Sequence, residues 1–163
     1  MKREEGATII EYLAILGALF FVGYLIFTFV NPIDELKKSR DGQRKRDLAA
    51  TAAMLNEHYL QLGRYPQSSK EYRLVRLDGT EAPWGGLFLG KSLPKDPDEN
   101  RWYVYIASPN GQTYLLYANV EKGELDPQVC AGGLSCPNVA KNVFCGKDGI
   151  LCNYGISSGN VTP

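Results

Sequence analysis

Gly6-Ala7-Thr8-Ile9-Ile10-Glu11-Tyr12 opens an apolar run that continues to Val30, and the reading of this stretch decides the fold. No charged residue occurs from Tyr12 to Ile33. A helix rises about 1.5 Å per residue, so roughly 20 residues cross a hydrocarbon core of about 30 Å. A secretory signal peptide has a shorter apolar core and a small-residue cleavage site beyond it. No Ala-x-Ala site precedes Asn31 here, and the small residue at a boundary is Gly6, behind the charged stub Lys2-Arg3-Glu4-Glu5. Glu11 is the anomaly. A lone carboxylate at bilayer depth costs roughly 2.5–3.5 kcal/mol on insertion scales and calls for a partner.

The rest of the chain sets bounds. Of 163 residues, about 130 follow the apolar run, enough for one modest core. Lys+Arg and Asp+Glu both total 18, which argues against a general nucleic-acid binder. No catalytic constellation is visible: there is one histidine, His58, no nucleophile elbow and no Gly-rich phosphate loop, so no enzyme and no cofactor are expected. His58 reads as a surface helix residue.

Asn31-Pro32-Ile33-Asp34 reads as a helix restart, with Asn as N-cap, Pro at the first position and an acid in the first turn. Leu48, Ala52, Leu55, Tyr59 and Leu62 then form one apolar stripe. Gly63 stops the helix and Pro66 prevents its continuation. One long helix is predicted from about Ala7 to Leu62, weakened near Pro32. The basic residues Lys37, Lys38, Arg40, Arg44, Lys45 and Arg46 follow the apolar run. They read either as a solvated face near lipid headgroups or as contacts between subunits, through Arg40, Arg44 or Arg46.

Ser68 to Leu89 reads as irregular, with a short element near Tyr72–Leu77, and with Trp84 and Phe88 packed on the helix stripe. Arg101–Ala107 and Thr113–Val120 are strands joined by the turn signal Pro109-Asn110-Gly111. Trp102, Val104 and Ile106 fall on one face of the hairpin, Tyr103 and Tyr105 on the other. Two strands are marginal alone, so a further strand is expected. Asp96-x-Asp98-x-Asn100 resembles the start of a calcium loop but lacks its Gly and closing Glu; a polar turn is the alternative.

Cys130, Cys136, Cys145 and Cys152 all lie in the tail. Their spacing is wider than the usual Cys-x2–4-Cys of structural zinc, so no metal is expected. Two disulfides in an oxidising compartment are, with three connectivities open.

The segment around Gly6 and Glu11 resembles the class III signal and N-terminal helix of type IV pilins and pseudopilins. In that family a prepilin peptidase cuts after the Gly and methylates the new N-terminus, and the fifth mature residue is Glu. Cleavage between Gly6 and Ala7 makes Glu11 that residue, although the usual first mature residue is Phe. Gly-Ala-Thr-x-Ile-Glu-Tyr is also similar to Tad-type (type IVb) pilins. Further on, Ser39-Arg40-Asp41, Asp47-Leu48, Gly63-Arg64-Tyr65-Pro66, Leu93-Pro94-Lys95-Asp96-Pro97 and Tyr103-Val104-Tyr105 resemble the major-pseudopilin layout.

The resemblance implies a leader at 1–6, a transmembrane and assembly helix at 7–30, and its amphipathic continuation at 31–62. A small antiparallel β domain at 63–129 and a Cys-rich tail at 130–163 follow, in an α+β fold with the helix packed on the sheet. It also implies a homo-oligomeric helical filament, a prepilin peptidase and an assembly platform as partners, with the lipid bilayer holding the subunit beforehand. The charge of Glu11 would be met by the Ala7 amine of a neighbouring subunit. The expected location is the cytoplasmic membrane, single-pass, with the globular part outside and then in a filament. The expected role is a type IV pilus subunit serving motility, adhesion, DNA uptake or secretion. The alternatives are a type II secretion pseudopilin or a permanently anchored binding module. Related pseudopilins often hold calcium in a C-terminal loop, and the expectation here is that bridges take over that role.

Overall fold

A computed structural model describes residues 8–159 and 161–163. The leader expectation at 1–6, and with it Gly6 and Ala7, lies outside the described residues. The chain divides into two compact units between Leu36 and Lys37.

The first unit holds helix α1, Ile9–Val30, and the start of helix α2, Pro32–Leu62. The single long helix expected from the sequence is interrupted at Asn31, which adopts a left-handed conformation (φ 42°). Asn is one of the few side-chain-bearing residues that enters this region readily. Asn31 leads into the new helix: its carbonyl accepts the Asp34 and Glu35 N–H groups at 2.9 and 3.3 Å, and its Nδ2 donates to the Asp34 carboxylate at 2.9 Å. Along α1, Ile9 to Phe29 form a span of mean hydropathy 2.2, long and apolar enough to cross a membrane. Apolar residues surround this helix on all sides, the pattern of a helix meant for an apolar medium.

The second unit is an α+β sandwich. From Lys37 onward, α2 packs on a three-stranded antiparallel sheet of β5 (Val104–Ala107), β6 (Tyr114–Ala118) and β7 (Tyr154–Ser157), in the order β5-β6-β7. Leu48, Ala52 and Leu55 of the stripe are buried against Tyr103, Tyr105, Tyr114 and Leu116. Each fully buried Leu contributes about 1.5–3 kcal/mol. The stripe fades at its end: Tyr59 is half-buried and Leu62 is exposed. Gly63 closes α2 at φ 69°, its N–H donating to the Tyr59 carbonyl.

Two short ladders fill the stretch read as irregular: β1 (Leu74–Val75) with β2 (Glu81–Ala82), and β3 (Leu87–Phe88) with β4 (Lys91–Ser92). Phe88 is buried and Trp84 sits edge-on to Tyr103, at 5.4 Å between ring centres. His58 is not the surface residue expected. It is buried, stacked on Phe88, with Nδ1 2.9 Å from the Arg64 carbonyl oxygen.

The hairpin register pairs Val104 with Tyr117 and Ala107 with Tyr114. Its turn is closed by the Gly111 N–H donating to the Ser108 carbonyl. Gly111 (φ 67°) cannot be replaced freely, because a Cβ there would lie 3.1 Å from Arg64 Cβ. Its carbonyl accepts from Tyr65 N at 2.7 Å, which ties Gly63-Arg64-Tyr65-Pro66 to the hairpin. The Tyr105 hydroxyl donates to the Pro66 carbonyl at 2.7 Å. The open edge of β5 is covered by the Tyr72 carbonyl and the Ser68 hydroxyl, which accept its N–H groups. An edge satisfied in this way is a poor template for unwanted pairing.

The two faces of β5 divide as the alternation predicts. Tyr103 and Tyr105 face α2, while Val104 and Ile106 face the tail. The tail contributes more than an appendage, because the third strand, β7, comes from within it. Its bridges are Cys130–Cys136 and Cys145–Cys152. Cys136, Cys145 and Cys152 form with Val104, Tyr117 and Val143 a second apolar layer on the outer face of the sheet. Asn153 locks it in place: its side chain exchanges two hydrogen bonds with the Val120 backbone, at 2.7 and 2.9 Å.

Candidate functional site

Two features concern the expected function: the carboxylate on α1, and the polar centre that fixes α2 to the globular unit.

On α1, Glu11 stands in the first turn and bends back over the helix start. Its Oε2 accepts from the Thr8 N–H at 2.6 Å and lies 3.3 Å from the Thr8 hydroxyl. This is the arrangement of a capping box, in which a side chain at N3 satisfies an orphan backbone donor. A neutral N–H solvates a carboxylate but does not cancel its charge.

The second centre was not legible as such. Arg44 is fully buried. Its Nε and Nη2 donate to Asp96 Oδ2 and Oδ1, both at 2.9 Å, a bidentate pair. Nη1 donates to Asp41 Oδ1 and Glu121 Oε1, both at 2.8 Å. Arg40 grips the same Glu121 from one turn earlier on the helix, at 2.7 and 2.8 Å. Asp41 in turn accepts the backbone N–H groups of Glu121 and Lys122. The spacing 40, 41, 44 puts these three side chains on one helical face. The rigid Leu93-Pro94-Lys95-Asp96-Pro97 turn delivers Asp96, and the exit of β6 delivers Glu121. Further along α2, Asp47 accepts from the Tyr103 hydroxyl at 2.7 Å, and Lys45 pairs with Asp126 and donates to Gln128 at 2.9 Å.

This arrangement corrects the reading of the basic run as one solvated face. Arg44 is not part of a solvated face but is buried among acids of its own chain, and Arg40 is half-buried against Glu121, while Lys38 and Arg46 remain exposed. Burial alone would depress the Arg44 guanidinium, but its bonds to Asp96, Glu121 and Asp41 outweigh this and hold its pKa above the ordinary value. The Arg40 bonds, joined by those of Arg44, pull Glu121 down to about 2 against the pull of burial. Burial pushes the Tyr103 hydroxyl up, and so does its bond to Asp47.

The candidate calcium loop is accounted for by the same network. Asp96 serves Arg44; Asp98 accepts the Asn100 N–H at 2.9 Å and pairs with Arg101 at 3.2 Å; Asn100 Oδ1 accepts from Lys147 at 3.0 Å. Among the described residues no group of His, Cys, Asp and Glu is placed to hold a metal ion.

The signal that could have found the centre was present in the motifs: Arg-Asp in the helix, Asp in the Leu-Pro-x-Asp-Pro turn, and an acid just after the second Tyr-rich strand. What hid it was the number of neighbouring cations, which made Arg44 look like one charge among several.

A pH prediction follows. The folded pKa of Glu121, about 2, lies below its ordinary 4.5. Its stabilisation is therefore complete above about pH 4.5 and is lost as pH falls towards 2. The size is about 1–3 kcal/mol. Asp47, whose pKa burial raises, works in the opposite sense and offsets part of it. Urea midpoints of the detergent-solubilised chain should fall between pH 5 and 3, and Glu121→Gln should flatten that slope. An equal slope in the variant would contradict the assignment.

The comparisons with known proteins bear on this geometry. Residues 31–127 match the family model for protein G of the type II secretion system (T2SS). The match covers α2, the Arg44 centre and the hairpin; α1 and all four cysteines lie outside it. No curated protein and no solved structure matches the chain. The matched region is more than half of the chain and contains every motif that the polar centre brings together, so the chain belongs to the type II secretion system protein G family, a family of pilin-like structural subunits.

Proposed function

We propose that this chain is a pseudopilin of a type II secretion type machine, polymerised through α1 into a filament after a prepilin peptidase cuts between Gly6 and Ala7. The observation that carries this reading is the pairing of a protein G globular unit with an apolar 22-residue helix that holds one carboxylate. Family membership implies assembly into a filament at a membrane platform, and Ile9–Phe29 is long enough to hold the subunit in the bilayer until then. The disulfides favour a globular unit outside the cytoplasm. In the filament core, the Ala7 amine of a neighbouring subunit would supply the positive charge that the Thr8 N–H does not. Methylation of that amine belongs to the same processing step.

A second reading, a type IV pilus subunit, rests on the Gly-Ala-Thr-x-Ile-Glu-Tyr string, which lies outside the matched region. Deletion of the gene separates the two: a loss of protein export with cell-surface filaments unaffected is expected, and the reverse would favour the pilus.

Processing has its own test. Intact mass spectrometry of the membrane-extracted protein should show the loss of Met1–Gly6. A full-length mass would support a permanent anchor instead.

A further inference from the structure

A cleft of about 410 Å³ opens on the globular unit, lined by none of the side chains of the Arg44 centre. That volume is in the range of small-molecule sites. Its walls are unusually aromatic: Tyr72, Trp84, Trp102 and Phe144 all line it. The wall is assembled from two parts of the chain. Trp102 lies in the family-matched region, and Phe144 lies in the cysteine tail outside it. Two bonds join them: Trp102 Nε1 donates to the Phe144 carbonyl at 2.8 Å, and Trp102 N donates to the Cys145 carbonyl at 3.0 Å. The Cys145–Cys152 bridge closes directly behind Phe144.

Two further observations set this cleft apart from ordinary surface. Tyr72 sits at φ 58°, a left-handed conformation that a bulky side chain adopts only when its surroundings impose it. It is held there by its N–H to the Ser69 carbonyl and by the Tyr105 N–H to its own carbonyl. The indole N–H of Trp84 is buried and has no acceptor among the described residues. A buried donor without a partner is costly.

The rim defines the ligand chemistry. Arg73 is paired with Glu71 at 3.1 Å and with Glu81, outside the lining, at 3.4 Å, and the remaining charge of the lining is Lys70, exposed on the rim. One exposed lysine is not a built site for a phosphate or a carboxylate. Asn142 adds an amide that both donates and accepts. The complementary ligand has flat apolar faces, hydroxyl edges and no net charge. We propose that the cleft binds a neutral saccharide, a pyranose ring lying against the indole of Trp102 with its hydroxyls on the polar rim. A proline-rich peptide would use the same aromatic faces. Its carbonyls accept but its prolines do not donate, so the acceptors of Glu71 and Asn142 would go unmatched.

Isothermal calorimetry on the full, oxidised chain in a non-glycosidic detergent tests this. The probes are neutral trisaccharides of glucose, mannose, galactose and N-acetylglucosamine, with a proline-rich decapeptide beside them. Saturable binding of at least one trisaccharide is expected, weakened at least tenfold in Trp102→Ala. Asn142→Ala, on the exposed rim, should weaken it at least threefold with an unchanged circular dichroism spectrum, which guards against misfolding of the tryptophan variant. The paired Cys145→Ser and Cys152→Ser substitutions should weaken it at least tenfold. Absence of binding to every trisaccharide, binding of the peptide alone, or equal affinity in the Trp102 and Asn142 variants would overturn the proposal.

Discussion

Replacing Arg44 with methionine is expected to lower the unfolding free energy by about 3–5 kcal/mol. Methionine replaces the aliphatic stem but not the guanidinium head, so the loss combines unpaired buried charges with a small void. Asp96 loses its bidentate partner and Asp41 loses the guanidinium at 2.8 Å, while both remain buried. A domain of this size is stable by only about 5–15 kcal/mol, so the variant should be marginal. Arg44→Lys should recover only part of the loss, because an ammonium cannot fork across Asp96 and still reach Asp41 and Glu121. Arg44→Met combined with Asp96→Leu should cost less than the sum of the two single changes, since the pair removes both charges. Urea unfolding followed by circular dichroism measures all three. A cost below about 1 kcal/mol for Arg44→Met would mean that the centre does not hold α2 to the sheet.

Glu11→Ala is expected to abolish incorporation into filaments while leaving membrane insertion intact. Removing a carboxylate at bilayer depth relieves a cost of roughly 2.5–3.5 kcal/mol, so the isolated subunit gains from the change. In the proposed filament the same change leaves the amine of a neighbouring Ala7 buried without its counter-charge, worth about 3–5 kcal/mol at each interface. The two effects have opposite signs, which makes the variant informative. Membrane fractionation together with filament recovery reads both. Normal filaments from Glu11→Ala would remove the carboxylate from the assembly step.

Much of this fold was legible in the chain because it rests on local pattern. The step of four and three from Leu48 to Tyr59 marks a helix face, and the alternation from Trp102 to Ile106 marks a strand. Gly63 and Gly111 mark the places where the backbone must turn. Elements whose partners are remote were not legible. β7 has a short, unremarkable sequence, Tyr154–Ser157, and exists because β6 offers it an edge. The outer layer of the sheet is built largely from bridged cysteines of the tail, which count as core only once paired. Buried Arg44 and His58 were misjudged for the same reason. A polar residue on a helix is assigned to solvent unless its partner is known, and the partners here lie far along the chain, at Asp96, Glu121 and Phe88. Glu11 was the opposite case. Its neighbours in sequence are apolar, so the anomaly was visible without any structure, though its partner in an assembly was not.

The most direct test of the proposed function is electron microscopy of filaments released from cells that co-express this chain with a prepilin peptidase and a type II secretion assembly platform. An antibody against the globular unit provides the label. Filaments labelled along their whole length, and missing when α1 is replaced by an unrelated membrane helix, are the expected result. A chain that remains membrane-bound and unassembled under these conditions, with peptidase and platform shown to be active on another subunit, would contradict it.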